Sequence, residues 1–107
     1  MTTDTSPFDA FFAAFEHFEW DKTKRATNIE KHGIDFIDIL SALDRPMLRK
    51  RSDRNDGMRY LIIGDAHGHE IAVAYKEIGT SCRIISARRA SKAERAAYHA
   101  HFAQSDE

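Results

Sequence analysis

Arg83-Ile84-Ile85-Ser86-Ala87-Arg88-Arg89-Ala90-Ser91-Lys92-Ala93-Glu94-Arg95 is the stretch that decides the fold. The β-branched pair Ile84-Ile85 suits a strand interior, and Ser91-x-x-Glu94 is a capping box that opens a helix. A short strand therefore runs directly into a helix N-terminus, with guanidinium groups at both its ends. Guanidinium forks and helix N-termini both favour phosphate. A single arginine in such a place is more simply solvated or paired with a carboxylate. Four of them in one strand–turn–helix unit, Arg83, Arg88, Arg89 and Arg95, point to an anionic ligand.

Between residues 47 and 87 the apolar pattern alternates. Met47–Arg51 reads as an edge-like strand, and Arg59–Gly64 with Glu70–Lys76 as a hairpin around Asp65–His69. Ile71, Val73 and Tyr75 share one face of it, and Cys82–Ala87 is the last strand. Before residue 46 the spacing is helical. Ser6 and Pro7 open a helix to about His17, with Phe8, Phe11, Phe12 and Phe15 as a stripe for the domain's own core or for a partner chain. Phe18-Glu19-Trp20 is a very short strand. Asp21 caps a polar helix that ends at His32 before Gly33, with only Ala26 and Ile29 for a core face. Asp35 caps another, faced by Phe36, Ile39, Leu40 and Leu43, which stops near Asp44-Arg45-Pro46. The last helix, from Lys92 to Ala103, offers Ala93, Ala96, Ala97 and Ala100. The expected architecture is α+β: an antiparallel sheet of about four strands, two N-terminal helices, an extra helix ahead of them in residues 1–17, and a C-terminal helix. Residues 18–107 form the main domain.

At 107 residues the chain suits one domain with a single core. The lone Cys82 cannot close an intramolecular disulfide and fits a reducing cytoplasm, and no signal peptide or membrane span is visible. The net charge of −1 hides a split. Residues 1–21 carry Asp4, Asp9, Glu16, Glu19 and Asp21 with no lysine or arginine. Residues 45–59 carry Arg45, Arg49, Lys50, Arg51, Arg54 and Arg59 against Asp53 and Asp56 alone. If that segment and residues 83–95 share a face, the face attracts a polyanion.

Lys24, Asn28, Lys31 and His32 fall on one helical stripe, either a solvated face or a row that handles phosphate and protons. Six histidines and one cysteine show no HExxH motif and no paired cysteines, so surface histidines and a core cysteine are the better reading. No metal and no cofactor are expected, since phosphate loops of the Walker or dinucleotide type are also missing. A basic, metal-free site serves one chemistry well: RNA cleavage in which the substrate's own 2′-hydroxyl attacks the adjacent phosphate. Cations stabilise the transition state and a histidine carries the proton.

Phe18-Glu19-Trp20-Asp21, Lys24, Asn28, Lys31-His32-Gly33, Phe36, Arg59, the block Arg83–Arg88, Glu94-Arg95 and Tyr98, in that order, closely resemble the BrnT toxins. The resemblance covers residues 18 to about 100. It implies a RelE-like fold, endoribonuclease activity that arrests translation, and a BrnA-like antitoxin with a ribbon-helix-helix part through which the complex reaches operator DNA. It carries over Lys31 and His32 from KHG, Arg83, Ser86 and Arg88 from RIISAR, and Glu94 and Tyr98 from the last helix. Lys31, His32, Arg83, Ser86 and Arg88 are the catalytic candidates. Lys24, Asn28, Arg49, Arg51, Arg59, Arg89, Glu94 and Tyr98 are the RNA-binding ones. Strict alternation sets Arg83 and Arg88 on opposite faces, so both serve one site only if the strand ends or bulges near Ala87. The other readings are a non-catalytic antitoxin partner and corepressor, and a protein that contacts DNA itself.

Overall fold

The alternating runs form the expected meander. In the computed structural model, which describes residues 8–11 and 15–102, they are β3 (Met47–Arg51), β4 (Tyr60–Ala66), β5 (His69–Ile78) and β6 (Ser81–Arg89). Each pairs antiparallel with the next. The β4–β5 turn is the two residues His67 and Gly68, at φ 53° and 85°, the doubly left-handed backbone that matches strand twist in a tight hairpin.

Two further strands raise the expected count of about four, and one of them contains the very short strand expected at Phe18-Glu19-Trp20. β1 (Asp9–Phe11) adds antiparallel to β3, and β2 (His17–Trp20) adds parallel to β6, giving the order β1-β3-β4-β5-β6-β2. The helix expected from Ser6 to about His17 is therefore not formed at residues 9–11 or at His17, while Ser6, Pro7 and Phe12 lie outside the described residues. β3 is also not an edge. An unpaired sheet edge offers a row of backbone partners, and that long-range pairing overrides the helical spacing of the phenylalanines. Phe8 is buried on one face of the sheet, with Leu48, Ile63, Ala72 and Ala90. Phe11 and Phe15 pack on the other, where Phe15 meets the Tyr75 ring edge-on at 5.4 Å. The described part of the stripe thus serves the domain's own core.

Asp21 caps α1 (Lys22–His32), accepting from the Thr23 and Lys24 amides, and Gly33 at φ 70° donates back to Ile29 C=O. Ala26 and Ile29 are exposed, so they are not its core face; Asn28 is the helix's buried residue. The helix expected after Asp35 is instead two 3₁₀ segments, Phe36–Ile39 and Ala42–Asp44. Phe36, Ile39 and Ala42 recur every third residue, the period that a 3₁₀ turn eclipses on one side, and all three are buried. They cover the face of Ile62, Val73, Tyr75, Cys82 and Ile84. The opposite face is partly covered by α2 (Lys92–Phe102), which leans on it through Ala97, Tyr98 and Phe102. Ala93, Ala96 and Ala100 are exposed: the larger apolar area of Tyr98 and Phe102, not the alanine stripe, sets the helix rotation.

Candidate active site

The site depends on one irregularity. Tyr75 pairs with Ile84 but Ala74 pairs with Ser86, so Ile85 is an extra residue in β6, a β-bulge. Cys82 and Ile84 enter one core, and after the bulge so does Ala87. Arg83, Ser86 and Arg88 face the other way: Arg83 lies opposite Lys76, Ser86 opposite Ala74 and Arg88 opposite Ala72. The bulge is two residues before the Ala87 position that alternation required, and it puts Arg83, Ser86 and Arg88 on one side of the sheet.

Asn28 fixes α1 beside that bulge. β2 covers the edge of β6 only as far as Ile84, which leaves the Ala87 peptide unpaired on that side. The Asn28 amide closes the gap as a strand would. It accepts from Ala87 N–H at 3.0 Å and donates to Ala87 C=O at 2.8 Å and to Ile34 C=O at 2.9 Å. The side chain is 4% exposed. Its amide is thus spent on backbone groups of the scaffold, and it stands among the RNA-binding candidates as the residue that holds α1 in place. A bidentate Arg25–Asp35 pair, 2.7 and 2.8 Å, ties the same helix to the first 3₁₀ segment.

With α1 so held, two hollows open along β6. One, of about 210 Å³, is lined by Lys24, Asn28, Lys31, His32, Ile85 and Ser86. Its neighbour, of about 150 Å³, is lined by Lys24, Asp56, Arg59, Lys76, Arg83 and Ile85. Lys24 and Ile85 belong to both. Neither lysine of α1's stripe, Lys24 or Lys31, has its ammonium in an ion pair among the described residues. In the second hollow Asp56 bridges Arg59 at 2.8 Å and Lys76 at 3.2 Å, and those two cations hold its carboxyl down to about 2. Arg83 donates to Glu19 at 2.8 Å. Arg59 Nε is buried without a hydrogen-bond partner, so a buried donor stays unsatisfied beside the hollow. Lys76 and Asp56 were missed in the sequence. The alternation of Ile71, Val73 and Tyr75 already put Lys76 on the non-core face, but only the strand register shows that it meets Arg83.

The remaining candidates are elsewhere. Arg88 is held by Glu94 through two bonds of 2.8 and 3.0 Å and donates to Arg89 C=O. Glu94 also accepts from Ser91 N–H, and its own amide donates to Ser91 Oγ, which completes the capping box. The Arg88 guanidinium holds the Glu94 carboxyl down to about 2, against 4.5 ordinarily. Tyr98 packs in the apolar cluster under α2. Arg49 and Arg51 pair with Ile62 and Tyr60, on the opposite face of the sheet from Arg83. There Arg49 lies 3.8 Å over the Phe11 ring and bonds Glu77, while Arg51 bonds Asp53. Arg89 lies opposite Ile71 on that same face. Cys82 is buried, with its thiol pushed up to about 12 by burial, and has no nucleophilic character. Among the described residues no group of three or more His, Cys, Asp or Glu is placed to hold a metal ion.

The Arg88–Glu94 pair makes a testable contribution to acid stability. A carboxyl depressed on folding adds stability that is complete above its unfolded value and is lost as pH falls through the folded one. The contribution therefore fades between pH 4.5 and about 2. Urea midpoints at pH 6 and pH 3 are expected to fall further apart in wild type than in Glu94→Gln. Equal separations would mean that the pair adds nothing.

No helix among the described residues is long and apolar enough to cross a membrane. No curated protein matches the chain. The family model for the ribonuclease toxin BrnT of type II toxin–antitoxin systems does match, over residues 20–94, which span the Asn28 clamp, the bulge and the cationic hollows. The chain therefore belongs to the BrnT family of ribonuclease toxins, whose type II systems pair each toxin with an antitoxin.

Proposed function

We propose that this toxin cuts RNA without a metal ion, by attack of a 2′-hydroxyl on the neighbouring phosphate, and that the hollows along β6 hold that phosphate. The observation that carries the reading is the convergence of Lys24, Arg59, Lys76 and Arg83 on one hollow, where the strand register sets Arg83 opposite Lys76. Charge develops on the phosphoryl oxygens in the transition state, and preorganised cations there lower the barrier by about 3–4 kcal/mol for each well-placed donor. Histidine is the side chain suited to moving protons near neutral pH, and His32, in the adjoining hollow with Lys31 and Ser86, is the proposed proton carrier. Asp56 stands where substrate oxygens would go, as an internal counter-ion that a phosphodiester displaces.

The same reading gives a RelE-like toxin of the cytoplasm that arrests growth by degrading translated RNA. Its antitoxin is BrnA-like, covers the cationic face with acidic side chains and brings operator DNA to the complex. The test is cleavage of a single-stranded RNA in excess EDTA. The expected products carry a 2′,3′-cyclic phosphate, and one 2′-deoxy substitution at the cut position abolishes cleavage. Cleavage that needs an added divalent cation, or that tolerates the 2′-deoxy sugar, overturns the mechanism. A folded toxin that binds RNA and never cuts it would be the non-catalytic partner instead.

A further inference from the structure

A third cavity lies across the sheet from Arg83, at the C-terminal end of α1, and encloses about 180 Å³. Sites that enclose a drug-sized ligand run to about 300–1,000 Å³, so this one has room for a single ring system. Its floor is apolar, from the buried Ile39 and Ile71 together with Ala66. Its polar groups are Asp38, Arg89 and the imidazoles of His32, His67 and His69. The Arg89 guanidinium and the three imidazoles form no ion pair or hydrogen bond among the described residues, and the Asp38 carboxylate accepts no hydrogen bond there. Arg89 and Asp38 line one cavity and yet do not pair with each other. Folding leaves this set of donors and acceptors unspent, around an apolar floor.

His67 sits at φ 53°, the one non-glycine residue at positive φ among the described residues. The tight β4–β5 turn imposes that conformation. Here it fixes the position of a ring at the cavity wall.

We propose that this cavity is a base-recognition pocket that selects guanine in the RNA next to the cut, an inference that rests on the ribonuclease reading. A flat ring on an apolar floor, flanked by imidazole faces, is the usual way a protein holds an unstacked base. Guanine is the base whose edge presents two adjacent donors, N1–H and N2–H, to one carboxylate, while its O6 and N7 accept from a guanidinium fork. Asp38 supplies the first partner and Arg89 the second. His32 lines both this pocket and the hollow with Lys31 and Ser86. A strand whose cut phosphate lies among Lys24, Arg59, Lys76 and Arg83 and whose sugar meets His32 is thereby led from the hollows towards the pocket.

The test maps cuts in an unstructured RNA of random sequence. Guanine is expected at one fixed position beside the cut. Replacing that guanine by inosine, which lacks the N2 amine, slows cleavage on the order of 10-fold. Asp38→Asn removes the difference between guanine and inosine, and Arg89→Ala, which loses the partner of O6 and N7, narrows the preference for guanine over adenine without abolishing it. Both residues are at the surface, so circular dichroism of the variants should match wild type. Cleavage that continues with no fixed base, or that treats inosine as guanine in wild type, overturns the pocket and leaves the nuclease reading standing. If no RNA is cut, the nuclease reading fails, and calorimetry of the whole chain with GMP, IMP and AMP decides the pocket alone. GMP bound more tightly than the other two, and lost in Asp38→Asn, supports it; equal binding or none overturns it.

Discussion

Replacing Arg83 by alanine is expected to slow RNA cleavage by about 10²- to 10³-fold and to change stability by less than about 1 kcal/mol. The two effects separate because the guanidinium sits on the open face of the sheet. Its one carboxylate partner, Glu19, is itself 43% exposed, and ion pairs in such settings add little to folding. In the cleavage step the same guanidinium lies opposite Lys76 and shares a hollow with Arg59 and Lys24. A phosphate there meets cations from β6, β5, the residue preceding β4, and α1 at once. Arg83→Lys keeps the charge and loses the planar fork, so its rate should fall between those of wild type and the alanine variant. In cells the alanine variant should be tolerated without the antitoxin. Single-turnover cleavage, read beside a thermal melt, checks both halves. A variant that melts like wild type and cuts as fast removes Arg83 from the mechanism.

The largest stability effect is expected at Asn28. Alanine there deletes three hydrogen bonds and leaves Ala87 N–H, Ala87 C=O and Ile34 C=O to find partners in a site that water reaches poorly. A buried polar group left unsatisfied costs about 1–3 kcal/mol, so a loss of about 2–3 kcal/mol is expected after partial relaxation. For a domain of this size that lowers Tm on the order of 10 °C. Asn28→Asp is the sharper probe. It keeps the acceptor for Ala87 N–H but sets a carboxylate against two carbonyl oxygens, so this variant should be no more stable than Asn28→Ala at neutral pH and should recover on acidification. If denaturant unfolding shows either variant within about 0.5 kcal/mol of wild type, the clamp is not what holds α1 to β6.

The contrast between these residues explains what the sequence made legible. Local chemistry was readable: the Asp21 cap, Gly33, the Ser91–Glu94 box and the alternation through Tyr75 each depend on neighbours within a turn or a strand. Pairings made far along the chain were not. β1 and β2 are short segments that gain their structure from the exposed edges of β3 and β6, which the spacing of Phe8, Phe11 and Phe15 does not reveal. The Ile85 bulge leaves no local mark, and with it went the face shared by Arg83, Ser86 and Arg88. Asn28 falls in a basic stripe of its helix, while its work is done on a backbone peptide 59 positions away. Arg49 and Arg51 looked equivalent to Arg59 by charge. Strand parity separates them, since both lie on the face of Tyr60 while Arg59 lines the hollow with Lys76 and Arg83.

The measurement closest to the central claim is a crystal structure of the toxin with a short RNA whose attacking 2′-hydroxyl is methylated, so that it binds and cannot react. The phosphate at the blocked position is expected among Lys24, Arg59, Lys76 and Arg83, with Asp56 displaced from Arg59 and His32 nearest the methylated oxygen. A phosphate seated instead against Arg49 and Arg51, across the sheet, would contradict the account.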